Sequence, residues 1–304
     1  MYKKIEEINT KDYKKVFVVG DIHGSFKELE KALYSIQFDK ENDLLICVGD
    51  LVGRGEDSYL AGDYLRQEWF KSAVGNHDLL FIEKEIGAGL IPQIDSVEYD
   101  ILFYKKLKND FIDAYRDSPL IFEVTNREGE KIIISHAGLP LGEDKKYEPF
   151  KKKIIEKGLS VTDVKELTWE RSIAVDLRKI NGDNTEGLGR KLKSPVARTN
   201  EEYELFTKWN SEENDKEYFE YLHKRNTVVD VDYVFHGHNV MLVHGLNKES
   251  AKDLLRLGNR FLIDTGGYFK TDNYKLERES LINNVPVGLT IFDLDKMKCV
   301  YAPK

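Results

Sequence analysis

A chain of 304 residues is long enough for one large domain or two, and a hydrophobic share of 41% is ample for a buried core. The net charge of -8 argues against a general nucleic-acid binder or an anionic-membrane binder, because that affinity comes from Lys and Arg neutralising phosphates. Cys47 lies in an apolar run and Cys299 near the end, no disulfide framework, and no apolar stretch approaches transmembrane length. Met1 to Thr10 is charged and lacks a continuous apolar segment, so no secretory leader is expected and a reducing, cytoplasmic setting fits best.

Val16 to Val19 is expected as the first buried strand. After it, Ser25-Phe26-Lys27-Glu28 has the form of a capping box, and Phe26, Leu29, Leu33 and Ile36 continue at helical spacing. Leu44 to Val48 predicts a second strand, Ser58 to Trp69 a second helix, and Ala73-Val74 a short third strand. This βαβαβ order favours parallel strands and a mixed α/β core. Ile94 to Tyr115 reads as helical. Leu120 to Val124 and Lys131 to Ser135 flank the polar turn Asn126 to Gly129 and predict a hairpin. The basic run Lys151 to Lys153, preceded by Lys145 and Lys146, reads as a solvated face. Asn181 to Asn200 reads as a loop, and Glu201 to Arg225 is charged, with Tyr203, Phe206, Trp209, Tyr218, Phe219 and Tyr221 at the spacing of a packing face. Strands are expected again at Tyr233 to Phe235, Phe261 to Ile263, Val287 to Phe292 and Lys298 to Tyr301. No internal repeat is visible, and the preferred organisation is one domain over 1–304 with an inserted cap-like segment at about 177–231.

Short polar motifs follow several of these apolar runs: Gly-Asp-Ile-His-Gly from Gly20, Gly-Asp-Leu-Val-Gly-Arg-Gly from Gly49, Gly-Asn-His-Asp from Gly75, Ser-His-Ala-Gly from Ser135 and His-Gly-His from His236. Trp169-Glu170-Arg171 and Asp264-Thr265-Gly266-Gly267 complete the set. Two divalent cations held close together need oxygen and imidazole ligands, with one carboxylate able to bridge. Asp21, His23, Asp50, Asn76, His136 and His238 are such a set. Most stand at the ends of expected strands, where α/β proteins build their sites.

In this order the motifs resemble the phosphoprotein phosphatase superfamily of metallophosphoesterases, and the stretch from Tyr2 to about Phe81 is similar to the small serine/threonine protein phosphatases of bacteriophages. The resemblance implies a calcineurin-like fold, a central two-sheet β-sandwich flanked by helices, of the α/β class. It implies that Asp21 and His23 ligate a first metal, that Asp50 bridges, and that Asn76, His136 and His238 complete a second. Manganese is the expected ion, with iron or zinc also suited to these ligands. Arg54 and Arg171, with Asn76, are implied to bind the substrate phosphate, and His77 to act as the general acid. The implied chemistry is attack on phosphorus by a metal-bridging hydroxide, with no covalent enzyme intermediate. His236 and His244 match no family position and are expected to be structural, and His223 to be exposed.

One departure divides the substrate readings. The family's protein phosphatases carry Asp in the second motif where this chain has Gly53, and Glu where it has Asp78. Both changes, with Ser-His-Ala-Gly-Leu at Ser135 to Leu139, are similar to symmetrical diadenosine tetraphosphatases, which cleave a phosphoanhydride. A phosphorylated protein and a dinucleoside polyphosphate are therefore both expected substrates, the first leading. A catalytically weak module that binds a phosphorylated ligand is a third reading, because the acid lacks its usual partner.

Overall fold

The apolar runs are continuous because each central strand is buried on both faces. In the computed structural model, which describes residues 3–80, 112–115, 117–170, 215–238, 256–267 and 288–301, Val16 to Val19 forms strand β2, buried throughout. Val16 and Val18 join an apolar cluster with Phe122, Ile132, Ile134 and Phe235, which come from the opposite sheet. Phe17 and Val19 instead join a cluster with Phe26, Leu29 and Leu33 of helix α1 (Phe26–Ser35). Strand β3 (Leu44–Cys47) alternates in the same way, with Leu44 and Ile46 in the first cluster and Leu45 and Cys47 in the second. Each aliphatic side chain removed from water here contributes about 1.5–3 kcal/mol, which is what commits both faces.

The remaining strands are β1 (Lys3–Asn9), β4 (Phe70–Ser72), β5 (Pro119–Thr125), β6 (Lys131–Ser135), β7 (Tyr233–His236), β8 (Arg256–Leu257), β9 (Arg260–Leu262), β10 (Ile291–Asp293) and β11 (Lys298–Tyr301). They form a six-stranded sheet of order β1-β5-β6-β7-β9-β8 and a five-stranded sheet of order β11-β10-β2-β3-β4. The neighbours β2, β3 and β4 run parallel, as do β6, β7 and β9. The two parallel sets are what gather the motifs, since the loop after each of these strands carries one of them. The hairpin β5–β6 is antiparallel and closes through Asn126, whose side chain binds Glu130 on both its backbone and its carboxylate.

Helices α2 (Ala61–Leu65), α3 (Tyr147–Lys157), α4 (Val161–Trp169) and α5 (Asp215–Arg225) are also described, with a 3-10 turn at Thr10–Asp12 and helical segments at 76–80 and 112–115. Two local expectations are corrected. The capping box at Ser25 does not form: its hydroxyl makes no cap bond, and the turn is held by backbone bonds from Glu28 and Leu29 to the Ser25 carbonyl. The box forms instead at Ser160 and Asp163, at the start of α4. The second helix is shorter than Ser58 to Trp69, a 3-10 turn at Ser58–Leu60 leading into α2, because Trp69 and Phe70 are drawn towards β4, which starts three residues before Ala73.

The basic run sits on α3 as a set of ion pairs. Lys151 Nζ lies 2.8 Å from Glu7 and 2.8 Å from Glu123, and Lys153 Nζ lies 2.7 Å from Asp163. The N-terminus of α3 is capped from afar, with Tyr147 and Glu148 N–H donating to the Asp230 carboxylate. His223 is half-buried rather than exposed, and its Nδ1 accepts from Gly258 N–H at 3.1 Å. Of the expected insertion at 177–231, Val228 and Val231 belong to the core, and Asn259 binds the backbone of both. Tyr203, Phe206, Trp209, the side chains of Tyr218 and Phe219, His244 and Arg171 lie outside the described residues.

Candidate metal centre

The loop after β2 carries Asp21 and His23 and the loop after β3 Asp50, while Asn76 and His77 open the helical segment 76–80 that follows β4, and His136 and His238 stand just after β6 and β7. Asp21, His23, Asp50, Asn76, His136 and His238 are all buried, and His77 is half-buried. Asp50 lies at the centre. Its Oδ2 is 3.4 Å from His23 Nε2 and 3.5 Å from His136 Nε2. The donor atoms of His23, Asp50 and His77 lie within 4.8 Å of one another, as do those of Asp50, His136 and His238. Asp21 Oδ2 stands 3.9 Å from His23 Nε2, while both its oxygens accept from His238 N–H at 3.1 and 2.9 Å. The two halves of the site are thereby tied across the sheets.

Backbone carbonyls fix which imidazole nitrogen faces inward. His23 Nδ1 lies 3.1 Å from the Val52 carbonyl and His136 Nδ1 3.3 Å from the Val48 carbonyl. Each Nδ1 proton is drawn to its carbonyl, which leaves Nε2 as the lone pair directed at the carboxylates, the tautomer a metal ligand needs. His136 Nε2 and His238 Nδ1 converge on Asn76 Oδ1 at 2.9 and 2.8 Å. With its Nδ1 proton drawn to Val48, His136 directs the Nε2 lone pair at the Asn76 oxygen, and the two repel at that separation unless a cation lies with them, so this donor set suits a divalent ion.

The electrostatics agree. Burial, then the charges of Asp264 and Asp50, hold the Asp21 carboxyl well above the ordinary range, and burial followed by the Asp78 charge does the same to Asp50. Burial, then the Arg54 charge, pushes His23 well below its usual value. Arg54, half-buried and in the left-handed region at φ 67°, acts favourably on both carboxylates but is a single charge. Divalent cations are the kind of charge that keeps such a group of acids ionised. Close approach is built into the backbone as well: a Cβ on Gly75 would strike Asp50 Oδ1, and one on Gly237 would strike Asp21 Oδ1.

His77 joins the site from two directions. Its N–H donates to Asp50 Oδ1 at 2.8 Å, and its ring meets that of His23 edge-on with centroids 4.7 Å apart. His236 is buried on the other side of β7, with Nδ1 3.1 Å from the Ser135 hydroxyl, and its pKa falls to about 3 chiefly through burial. Two acidic residues at the site have no role legible in the sequence. Asp264, just beyond β9, is buried and close enough for its charge to reach Asp21 and Asp50. Asp78 is fully buried and binds backbone N–H groups of the Asp50 turn. The flag on Asp264 was its motif after a strand, and that on Asp78 its place next to His77.

Comparison with known proteins gives the family. Residues 14–241 match the calcineurin-like phosphoesterase family. Serine/threonine-protein phosphatase 2 of Escherichia coli is 32% identical over 188 residues, 59% of this chain and 80% of the relative. The symmetrical bis(5'-nucleosyl)-tetraphosphatase of Pasteurella multocida is 33% identical over 125 residues, which span 40% of this chain and 44% of that enzyme. Serine/threonine-protein phosphatase 1 of Salmonella typhimurium is 42% identical over 83 residues, 27% of this chain and 37% of the relative. A solved structure assigned as a diadenosine tetraphosphatase shares the fold at a TM-score of 0.52 and 19% identity, covering 99% of this chain and 98% of that one. Family membership implies divalent metal ions and phosphoesterase chemistry, and no helix among the described residues is long and apolar enough to cross a membrane. The chain is a metal-dependent phosphohydrolase of the calcineurin-like phosphoesterase family.

Proposed function

We propose that this chain removes phosphate from phosphoserine or phosphothreonine in a protein, with Asp21, His23, Asp50, Asn76, His136 and His238 holding two divalent cations, manganese first among them. The observation that carries the two-ion reading is the position of Asp50 Oδ2, 3.4 Å from His23 Nε2 and 3.5 Å from His136 Nε2, so that one carboxylate serves both donor groups. When bound, such ions neutralise phosphate charge and lower the pKa of water. Water attacks phosphorus in line, and the bond from phosphorus to the serine or threonine oxygen breaks without a covalent enzyme intermediate. Arg54 directs its fork of N–H donors at the phosphate oxygens, which gain charge at the transition state, and Arg171 is its proposed counterpart. His77 gives its ring proton to the departing oxygen, and its backbone N–H bond to Asp50 Oδ1 keeps it beside the reacting group.

The protein-substrate reading is supported by the likeness of residues 2–81 to phage phosphatases and by the match over 80% of the E. coli phosphatase. A second reading, hydrolysis of a dinucleoside polyphosphate, is supported by Gly53, which stands where the protein phosphatases of the resemblance carry the Asp that favours a protonated His77. A phosphate leaving group needs that proton less than an alkoxide does. Both free cysteines, Cys47 buried and Cys299 half-buried, suit a reducing cytoplasm. The test is to strip the protein of metal, restore it with Mn²⁺, and compare a phosphothreonine peptide with diadenosine tetraphosphate. A higher kcat/KM on the peptide supports the first reading, and the reverse supports the second. Tight binding of both without turnover would mark a phospholigand-binding module.

A further inference from the structure

Asp78 stands next to the site without facing the reacting groups. Its carboxylate is fully buried, and four backbone N–H groups converge on it. Oδ2 accepts from Asp50 N–H at 2.8 Å and from Gly75 N–H at 2.9 Å. Oδ1 accepts from Leu51 N–H at 3.0 Å and from Val52 N–H at 3.3 Å. The donors come from two separate motifs, the turn after β3 and the turn after β4. We infer that Asp78 is a positioning residue that locks the Asp50 turn onto the Asn76 turn, setting the distance between the carboxylate proposed to bridge the two ions and the amide proposed to ligate one of them.

Three features of the turn show why such a lock is needed. Asp50 is held at φ 54°, a left-handed conformation that non-glycine residues leave unless the surroundings hold them there. Asp50 is also the residue on which both donor groups depend, so a small rotation of its turn alters both together. Finally, Val52 offers its carbonyl to His23 Nδ1 at 3.1 Å while its N–H is bound to Asp78. The lock thus reaches the orientation of His23 through the backbone of a single residue, Val52. A carboxylate suits this place and an amide does not. Each oxygen takes two N–H donors, so an Asn in either flip would turn its NH₂ group against two backbone N–H groups. Because the lock acts on ligand geometry, its loss is read in metal affinity as well as in folding.

This role presupposes the metal reading of the site, and the experiment separates the two. Mn²⁺ is titrated calorimetrically into metal-free wild type, Asp78→Asn and Leu79→Ala, with thermal unfolding of each metal-free protein measured alongside. Leu79 is buried in the core next to Asp78 and meets these turns only through its backbone N–H, which donates to the Gly75 carbonyl at 3.0 Å and is kept in alanine, so truncating its side chain lowers stability without touching the lock. The expected result is Mn²⁺ affinity weakened about 10- to 100-fold in Asp78→Asn, the usual range for partners that orient metal ligands, and changed less than twofold in the folded fraction of Leu79→Ala. Equal affinity in wild type and Asp78→Asn overturns the inference, as does an equal loss in Leu79→Ala. Wild type that binds no Mn²⁺ overturns the metal reading itself and the positioning role with it. Should Asp78→Asn not fold, Asp78→Ser, which keeps one acceptor and leaves the other donors to water, is measured against the same criterion.

Discussion

Gly237→Ala tests how tightly the two halves of the centre are joined. The backbone there suits any residue, so the substitution adds one methyl group and no torsional strain, and the effect is one of space. That methyl would strike Asp21 Oδ1 and approach Asp21 Cγ to 3.0 Å. Asp21 is 1% exposed, so it has little room to withdraw, and its oxygens accept from His238 N–H at 3.1 and 2.9 Å. Overpacking of a buried site costs about 1–3 kcal/mol. Loss of a hydrogen bond to a charged acceptor costs about 1.5–3 kcal/mol more. The metal-free variant should therefore be about 2.5–6 kcal/mol less stable, a fall of roughly 4–9 °C in Tm for a protein of this size. Turnover should fall at least tenfold at a fixed Mn²⁺ concentration and recover in part as Mn²⁺ is raised, because the variant places a proposed ligand badly but does not remove it. Differential scanning calorimetry and a Mn²⁺ titration of the initial rate read the two effects. A variant within about 1 °C of wild type, with the same Mn²⁺ dependence, would refute the close packing of Gly237 against Asp21 and the ligand role drawn from it.

Arg54→Ala should lower kcat/KM by roughly a hundredfold, the scale of losing one preorganised donor, and Arg54→Lys should restore little because it lacks the fork; a loss below about threefold in steady-state assays would remove Arg54 from the phosphate clamp. Gly53→Asp should extend the alkaline limb of the pH-rate profile on phosphopeptides more than on diadenosine tetraphosphate. Because Gly53 sits at φ 89°, the fold must be checked by circular dichroism first, and an unchanged profile in a folded enzyme defeats the argument from this glycine. Ser160→Ala should cost about 1 kcal/mol in denaturant unfolding through loss of the α4 cap, and no loss would show the cap to be idle. At Asp163 burial pushes the carboxyl up, but donors from Lys153 and Ser160 outweigh it, so the folded pKa lies below the ordinary value. A depressed carboxylate stabilises the fold above the unfolded pKa of about 3.9 and loses that contribution as pH falls through the folded value. Asp163→Asn should thus be less stable than wild type near pH 7, with the gap closing below about pH 4; a gap independent of pH would contradict the assignment.

What the sequence revealed, and what it hid, follows from how far apart in the chain the interacting groups lie. The strands carrying the motifs were legible because burial on both faces makes them continuous apolar runs, as at Val16 to Val19 and Leu44 to Cys47. The convergence of Asp21, His23, Asp50, Asn76, His136 and His238 was legible because polar residues of the types that suit a metal stand in short glycine-flanked motifs directly after apolar strands. Strand β1 was not, since Lys3 to Asn9 offers only Ile5 and Ile8 among charged residues and gains its place by parallel pairing with β5, more than a hundred residues away. The Ser25 cap was misread because its pattern is local, whereas the bonds that form are made by the backbone. Asp78 looked like a simple exchange for Glu, because a carboxylate that accepts from four backbone N–H groups leaves no mark in the spacing of side chains. Asp264 stood in a recognised motif, yet its effect on Asp21 and Asp50 depends on two sheets coming together.

The central claim is that Asp50 joins two metal ions. Crystals grown from metal-free protein and soaked in Mn²⁺, with diffraction collected on both sides of the manganese absorption edge, test it directly. The account predicts two anomalous peaks, both in contact with the Asp50 carboxylate, one flanked by Asp21 and His23 and the other by Asn76, His136 and His238. A single peak, or two peaks of which only one touches Asp50, would contradict it.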